Sequence, residues 1–134
     1  MKKLTILAIA VAALGSAFAT DSDARGLTPW DVAQIKSVGS VVMSPDGSLV
    51  AYTVYVPRTP MEDDNGPSWA ELHVFDRESG ENRPFVTGEV SVSSIRWTRD
   101  GRYIGYRAKR GDDEETALYV IPVAGGESRR LLTR

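Results

Sequence analysis

An internal repeat is the feature that most constrains the fold of this chain. Residues Ser44–Tyr52 (SPDGSLVAY) match Thr98–Tyr106 (TRDGRYIGY) at an offset of 54 positions. Each copy has a hydroxyl residue, an Asp-Gly pair, two bulky residues, a small residue and a tyrosine. Asp-Gly pairs between apolar runs favour tight hairpins, because glycine tolerates the positive φ that such turns require. The repeat therefore predicts two related hairpins.

A second match extends the repeat. Residues Glu71–Phe75 and the turn Ser79-Gly80-Glu81 match Ala117–Ile121 and Gly125-Gly126-Glu127 at an offset of 46. The eight-residue difference between the two offsets falls within residues 57–70, which are rich in Pro, Asp, Asn and Gly. This composition predicts a loop insertion in the first copy.

The repeat unit is predicted to contain four strands. Strand a ends at Met43 or Trp97, and strand b follows the Asp-Gly turn. The later strands are predicted at Leu72–Asp76 and Arg83–Val86 in the first copy, and at Leu118–Pro122 and Arg129–Leu132 in the second. Four short antiparallel strands repeated every 45 to 55 residues or so are typical of propeller blades. We therefore expect an all-β fold with two four-stranded antiparallel β-propeller blades, residues 41–88 and 89–134. Two unrelated hairpins in a small sandwich are the alternative.

Two blades cannot close a propeller. Closure takes about four to eight blades, so at least one flat blade face would be uncovered. We expect an incomplete propeller in a truncated chain, and ring closure by oligomerisation is the less favoured alternative. The sequence does not indicate an oligomeric state.

The N-terminal segment has the features of a signal peptide. Lys2 and Lys3 precede an uncharged apolar run, Leu4–Leu14, which is too short to span a bilayer. The run is followed by Ala17-Phe18-Ala19, a small-x-small cleavage pattern. We predict a signal peptide at residues 1–19 and export to the periplasm or the outside, with no membrane association after cleavage. An apolar helix or strand of the mature fold is the alternative.

Residues 20–40 are predicted to form a linker and a short helix. Thr28 suits the N-cap, Pro29 the first helical position and Asp31 the third. Leu27 and Val32 have the spacing of a hydrophobic staple.

Composition excludes several classes of function. The chain has no cysteine, which excludes disulfides and thiolate-bound zinc. Its formal net charge of −2 would become −4 on loss of Lys2 and Lys3. The sequence lacks the Lys and Arg clusters that neutralise phosphates, and the pair Arg129-Arg130 is predicted to face solvent or the rim, so nucleic acid binding is not expected.

No catalytic, cofactor-binding or metal site is predicted in these residues. A serine hydrolase needs a nucleophile, usually in Gly-x-Ser-x-Gly, with a histidine base and a carboxylate. The sequence has no such pentapeptide, and its one histidine, His73, lies in the predicted strand Leu72–Asp76, where it aligns with Tyr119 as a packing residue. The acidic runs Glu62–Asn65 and Asp112–Glu115 offer oxygen ligands for calcium but lack the spacing of a calcium loop, so solvated loops are expected.

The aromatic residues and the turn aspartates are assigned structural roles. Trp97, Tyr52 and Tyr106 are expected to pack between blades rather than stack on a ligand. Asp46 and Asp100 are expected to organise their turns. A surface contact is expected for the aromatic residue of the inserted loop, Trp69.

The sequence resembles the start of exported serine peptidases of the prolyl oligopeptidase family. The resemblance begins with Leu27–Val32 and Met43–Thr53, where the sequence is similar to acylaminoacyl-peptidase-like and dipeptidyl-peptidase-like members of the family. It continues through Trp69–Val74, Ile95–Gly101 and Leu118–Pro122. It implies a propeller that restricts access to an α/β-hydrolase domain, which follows in sequence and cleaves peptides. The chain alone would then be inactive, with peptide substrates binding through the missing domain.

A second resemblance gives the alternative function. The Ser-Pro-Asp-Gly motif also resembles repeats of the periplasmic propeller protein of the Tol system. That resemblance implies a scaffold or binding propeller without enzymatic activity. The predicted helix within Leu27–Ile35 favours the peptidase.

Overall fold

The computed structural model describes residues 26–132, which form two four-stranded antiparallel sheets preceded by a short helix. The predicted signal peptide lies outside the described residues. Helix α1 spans Pro29–Ala33. The first sheet, blade 1, contains β1 (Ser37–Met43), β2 (Leu49–Val56), β3 (Trp69–Asp76) and β4 (Asn82–Val86). The second sheet, blade 2, contains β5 (Ser93–Trp97), β6 (Tyr103–Ala108), β7 (Ala117–Pro122) and β8 (Arg129–Leu132).

Each strand pairs with the strand before it, so the spatial order in both sheets follows the chain. The two sheets repeat the same register. Tyr52 lies opposite His73 in blade 1, and Tyr106 lies opposite Tyr119 in blade 2. The predicted fold class is confirmed: the chain forms two blades of an incomplete β-propeller.

The Asp-Gly turns have the predicted geometric role. Gly47 and Gly101 adopt φ values of 74° and 67°, a region that L side chains rarely occupy. The carboxylate of Asp46 accepts hydrogen bonds from the Ser44 hydroxyl (2.6 Å) and the Ser48 backbone N–H (3.0 Å). These bonds lower the pKa of Asp46 to about 2. Hydrogen bonds to Asp100, first among them one from Thr98, likewise hold its pKa well below the ordinary value.

The N-terminal helix begins as predicted. The Thr28 side chain accepts a hydrogen bond from the Asp31 backbone N–H, and the Asp31 carboxylate accepts one from the Thr28 backbone N–H, which completes a capping box. Leu27 and Val32 are both exposed, so the predicted staple does not bury either side chain.

Four strands begin earlier than the sequence predicted: β4 and β7 by one residue, and β1 and β3 by more. β1 starts at Ser37 because its pairing with β2 continues beyond an irregularity between Val38 and Val41. Gly39 permits the bulge, since a Cβ there would lie 2.5 Å from the Thr53 hydroxyl oxygen. β3 starts at Trp69, which pairs with Val56, so Trp69 belongs to a strand and not to the inserted loop.

The hydrophobic core lies between the two sheets. Thirteen buried residues of both blades and their connection form one cluster, with members Ala51, Leu72, Val74, Val86, Val90, Val92, Ile95, Ile104, Tyr106, Ala108, Ala117, Tyr119 and Ile121. Neither blade therefore has a core of its own, and each depends on the other for burial. Within residues 26–132, no helix has the length and apolar character needed to cross a membrane.

Candidate functional site

The flat faces of the two blades are the main candidate interaction surfaces. Because side chains alternate along a strand, each blade has two faces. We define face A by the row that includes Tyr52 and His73 in blade 1, and Tyr106 and Tyr119 in blade 2. Face B is the opposite face, which carries Ala51 in blade 1.

Face B of blade 1 packs on face A of blade 2. Face B contributes Ala51, Leu72 and Val74 to the shared core, and all three are fully buried. The indole Nε1 of Trp97 donates a hydrogen bond to the Val42 carbonyl oxygen of the neighbouring blade at 2.9 Å. The inter-blade packing predicted for Trp97 and Tyr106 thus holds, whereas Tyr52 lies on the other side of blade 1.

The connection between the blades is also hydrogen-bonded to β3 of blade 1. The Ala70 backbone N–H donates to the Val90 carbonyl oxygen, and the Val92 backbone N–H donates to the Ala70 carbonyl oxygen, both at 2.8 Å. These two bonds hold residues 87–92 along the start of β3 and so help to fix the position of blade 2 relative to blade 1.

The two outward faces remain uncovered. On face A of blade 1, Val41 and Met43 are 58% and 55% exposed, and Phe75 is also exposed. On face B of blade 2, Arg107 is exposed and Tyr103 borders a groove of about 230 Å³. Apolar side chains exposed on a flat sheet are typical of an interface.

A polar cluster ties the β6–β7 loop of blade 2 to its sheet. The Tyr119 hydroxyl donates to the Asp113 carboxylate, which also receives the Arg130 guanidinium at 2.8 Å. The Arg110 guanidinium donates to the Tyr106 hydroxyl oxygen at 3.0 Å. The bond from Tyr119 lowers the pKa of Asp113 and raises that of Tyr119.

This cluster differs from what the sequence suggested. Within the acidic run Asp112–Glu115, predicted to be a solvated loop, the Asp113 side chain is only 7% exposed and contacts Arg130, which faces solvent as predicted. The signal that could have identified the pairing is the position of Arg130, which lies opposite Tyr119 in the sheet. The cluster provides hydrogen bonds that fix the loop, and no nucleophile.

The equivalent place in blade 1 contains the chain's one histidine. The His73 ring lies 3.1 Å from the Glu71 carboxylate and is tilted against the Tyr52 ring, with centroids 5.7 Å apart. Burial alone would raise the pKa of Glu71, but a backbone bond from Gly88 and the contact with His73 outweigh it and lower the pKa. The Tyr52 hydroxyl donates to the Asn82 side-chain oxygen at 2.9 Å. His73 therefore contacts a carboxylate and an aromatic ring, and its role as a packing residue stays a prediction.

The inserted loop is organised by one arginine. The Arg58 guanidinium lies 3.9 Å from the centre of the Trp69 ring and donates to the backbone oxygens of Pro67 and Asp64, each at 3.0 Å. Trp69 therefore holds the loop rather than forming a free contact surface. Met61, fully exposed with a φ of 71°, lies at the loop's surface.

The acidic runs do not assemble a metal centre in the part of the chain that the structure describes. Among residues 26–132, no group of three or more His, Asp or Glu side chains could hold a metal ion. Asp63 instead accepts a hydrogen bond from the Thr59 backbone N–H at 2.6 Å, which closes a turn of the loop.

The paired sheets, their chain-order topology and their face-to-face packing define a stretch of β-propeller with two consecutive blades. Residues 32–121 match the family described as prolyl oligopeptidase, N-terminal β-propeller domain. The chain belongs to this family. It is also 27% identical over 105 residues to the uncharacterized peptidase YuxL of Bacillus subtilis. That match covers 78% of this chain and 15% of the relative, so the chain corresponds to a small part of the relative's length.

Proposed function

We propose that this chain is the exported propeller portion of a serine peptidase whose α/β-hydrolase domain lies outside these 134 residues. The propeller would restrict access to that domain by size, so that peptides enter and folded proteins do not. The observation that carries the proposal is the pair of uncovered blade faces, which suit additional blades in a family of peptidases. The name of the YuxL relative is in keeping with a peptidase.

The catalytic part of the proposal is tested on the longer protein that would begin with this chain. We expect it to react with a fluorophosphonate that labels activated serines, and to hydrolyse short chromogenic peptides. The label should map outside residues 1–134. A longer protein with blades but neither labelling nor hydrolysis would contradict the peptidase and favour the scaffold of the Tol type.

The gating part is tested by loosening the propeller. Tyr106→Ala removes a fully buried ring from between the blades. We expect it to raise the hydrolysis of long peptides relative to short ones, because the blades would separate more readily. Glu78→Ala, in the exposed β3–β4 turn, is the control. Equal size selectivity in both variants, with Tyr106→Ala still folded, would contradict gating.

Export is tested by cell fractionation and N-terminal sequencing. The mature protein should begin at Thr20, in the periplasm or the medium. A cytoplasmic protein that retains Lys2 and Lys3 would contradict export.

A further inference from the structure

We propose that Asn65, in the inserted loop between β2 and β3, is a site of spontaneous deamidation whose rate is set by the Arg58 guanidinium. The inference concerns a covalent change of the propeller itself. It depends neither on a peptidase domain nor on what covers the outward faces of the two blades.

The first step compares the places where an Asn or Asp residue precedes a glycine. The chain has three: Asp46-Gly47, Asn65-Gly66 and Asp100-Gly101. Glycine has no Cβ, so its backbone nitrogen is the least hindered nucleophile for the preceding side chain. At the two Asp-Gly turns this nitrogen is occupied. The Gly47 N–H donates to the Ser44 carbonyl oxygen at 2.9 Å. The Gly101 N–H donates to the Thr98 carbonyl oxygen at 3.0 Å.

At Asn65-Gly66, in contrast, both reacting groups are free. Residues 61–67 are all exposed. Within residues 26–132, neither the Asn65 side-chain amide nor the Gly66 backbone N–H has a hydrogen-bond partner. The Asn65 side chain is also a neutral amide, whereas Asp46 and Asp100 carry ionised carboxylates, which repel a nucleophile. Only the pair in the inserted loop therefore combines an accessible nucleophile with a reactive carbonyl carbon.

The reaction needs only water. The Gly66 nitrogen forms a bond to Cγ of Asn65, and the bond from Cγ to Nδ2 breaks. Nδ2 leaves as ammonia and takes with it the proton that the Gly66 nitrogen loses. Water then opens the cyclic succinimide at either of its two carbonyl carbons. The products are aspartate at position 65, or isoaspartate, in which the main chain runs through Cγ.

Ring closure requires rotation of the backbone at the reacting pair, and Arg58 opposes that rotation. Its Nε donates to the Pro67 carbonyl oxygen and its Nη1 to the Asp64 carbonyl oxygen, each at 3.0 Å. These two carbonyls lie on either side of the reacting pair. The guanidinium is itself held 3.9 Å from the centre of the Trp69 ring. A Cβ at Gly66 would lie 2.8 Å from the guanidinium carbon, so Arg58 also covers the glycine. Deamidation therefore waits for Arg58 to release the loop.

The product would keep the loop released. Deamidation adds a negative charge next to Glu62–Asp64 and changes the formal net charge of the chain from −2 to −3. Isoaspartate also lengthens the main chain between the two carbonyls that Arg58 holds, so the planar guanidinium no longer fits both. The modification would thus convert a clamped loop into an unclamped one without return.

The site is tested by incubating the purified chain in mildly alkaline buffer for several days, with peptide mapping by mass spectrometry, which distinguishes an amide from an acid. Asn82, the chain's other asparagine, is the internal control. It precedes an arginine, and its side-chain oxygen accepts a hydrogen bond from the Tyr52 hydroxyl at 2.9 Å. Asn65 should convert while Asn82 stays intact. An intact Asn65, or equal conversion of the two, would overturn the proposal.

The role of Arg58 is tested by substitution. Arg58→Ala should accelerate the conversion of Asn65 about tenfold, because two hydrogen bonds that restrain the loop are lost. Arg58→Lys keeps the positive charge but lacks the fork that reaches both carbonyls, so it should accelerate the conversion as well. Arg99→Ala removes an exposed arginine from the β5–β6 turn and should leave the rate unchanged.

These variants separate the clamp from other effects of the arginine. If Arg58→Ala converts no faster than Arg99→Ala, Arg58 does not set the rate. Acceleration by Arg58→Ala but not by Arg58→Lys would assign the effect to charge and contradict the clamp.

Discussion

The repeat offers a matched pair of tyrosines whose substitution measures how much the blade interface stabilises the fold. Tyr106 is completely buried between the blades and its ring stacks on Tyr119 at a centroid distance of 5.6 Å. Its hydroxyl donates to Ser128 at 2.7 Å. Tyr52 occupies the same position in blade 1, but on the uncovered face, where it is half-buried.

Replacing both by alanine should therefore have unequal consequences. Tyr106→Ala should lower the free energy of unfolding by about 3 to 5 kcal/mol, as for other large buried aromatic residues. Tyr52→Ala removes a partly exposed ring and one hydrogen bond, and should lower it by about 1 to 2 kcal/mol. A difference of about 2 kcal/mol corresponds to about 8 °C in melting temperature for a domain of this size.

The measurement is urea denaturation followed by tryptophan fluorescence. Tyr52→Phe and Tyr106→Phe separate the hydroxyl from the ring. If both alanine variants lose the same stability, the assignment of a covered and an uncovered A face is refuted.

Three further tests concern other features. Gly39→Ala should cost about 1 to 3 kcal/mol because its Cβ would overlap the neighbouring strand, whereas Gly26→Ala, with open space around it, should cost nothing measurable by urea denaturation. Ionised Asp46, with its pKa near 2 against an ordinary 3.8, contributes stability that is complete above about pH 4 and lost as the pH falls towards 2. Asp46→Asn should therefore flatten the acid limb of a stability profile, and an unchanged limb would contradict the turn's role. Trp97→Phe should lose about 1 kcal/mol through the bond to the Val42 carbonyl, and an unchanged unfolding midpoint would show that this bond is unimportant.

The fold could be predicted from the sequence because its signals are local. The Asp-Gly turns, the alternation of apolar residues and the Thr28 cap each act within a few residues, and two copies of one pattern reinforce each other. The predictions of where the strands begin were less accurate. The bulge at Gly39 depends on the Thr53 side chain of the neighbouring strand, and no local pattern indicates it.

The candidate surfaces could be predicted only in part. The number of blades implied uncovered faces, but which face of each blade is covered depends on how the sheets pack. The burial of Asp113 was missed because its partners, Tyr119 and Arg130, come from two different strands. An acidic run looks the same in sequence whether it is solvated or folded against a sheet.

The central claim is that two copies of one four-stranded unit pack with face B of the first on face A of the second. The most direct measurement is an NMR experiment that records the nuclear Overhauser cross-peaks and the solvent exchange of the Trp97 indole proton. The account predicts slow solvent exchange of that proton and cross-peaks from it to Val42 in blade 1. Cross-peaks confined to blade 2, with rapid exchange, would contradict the account.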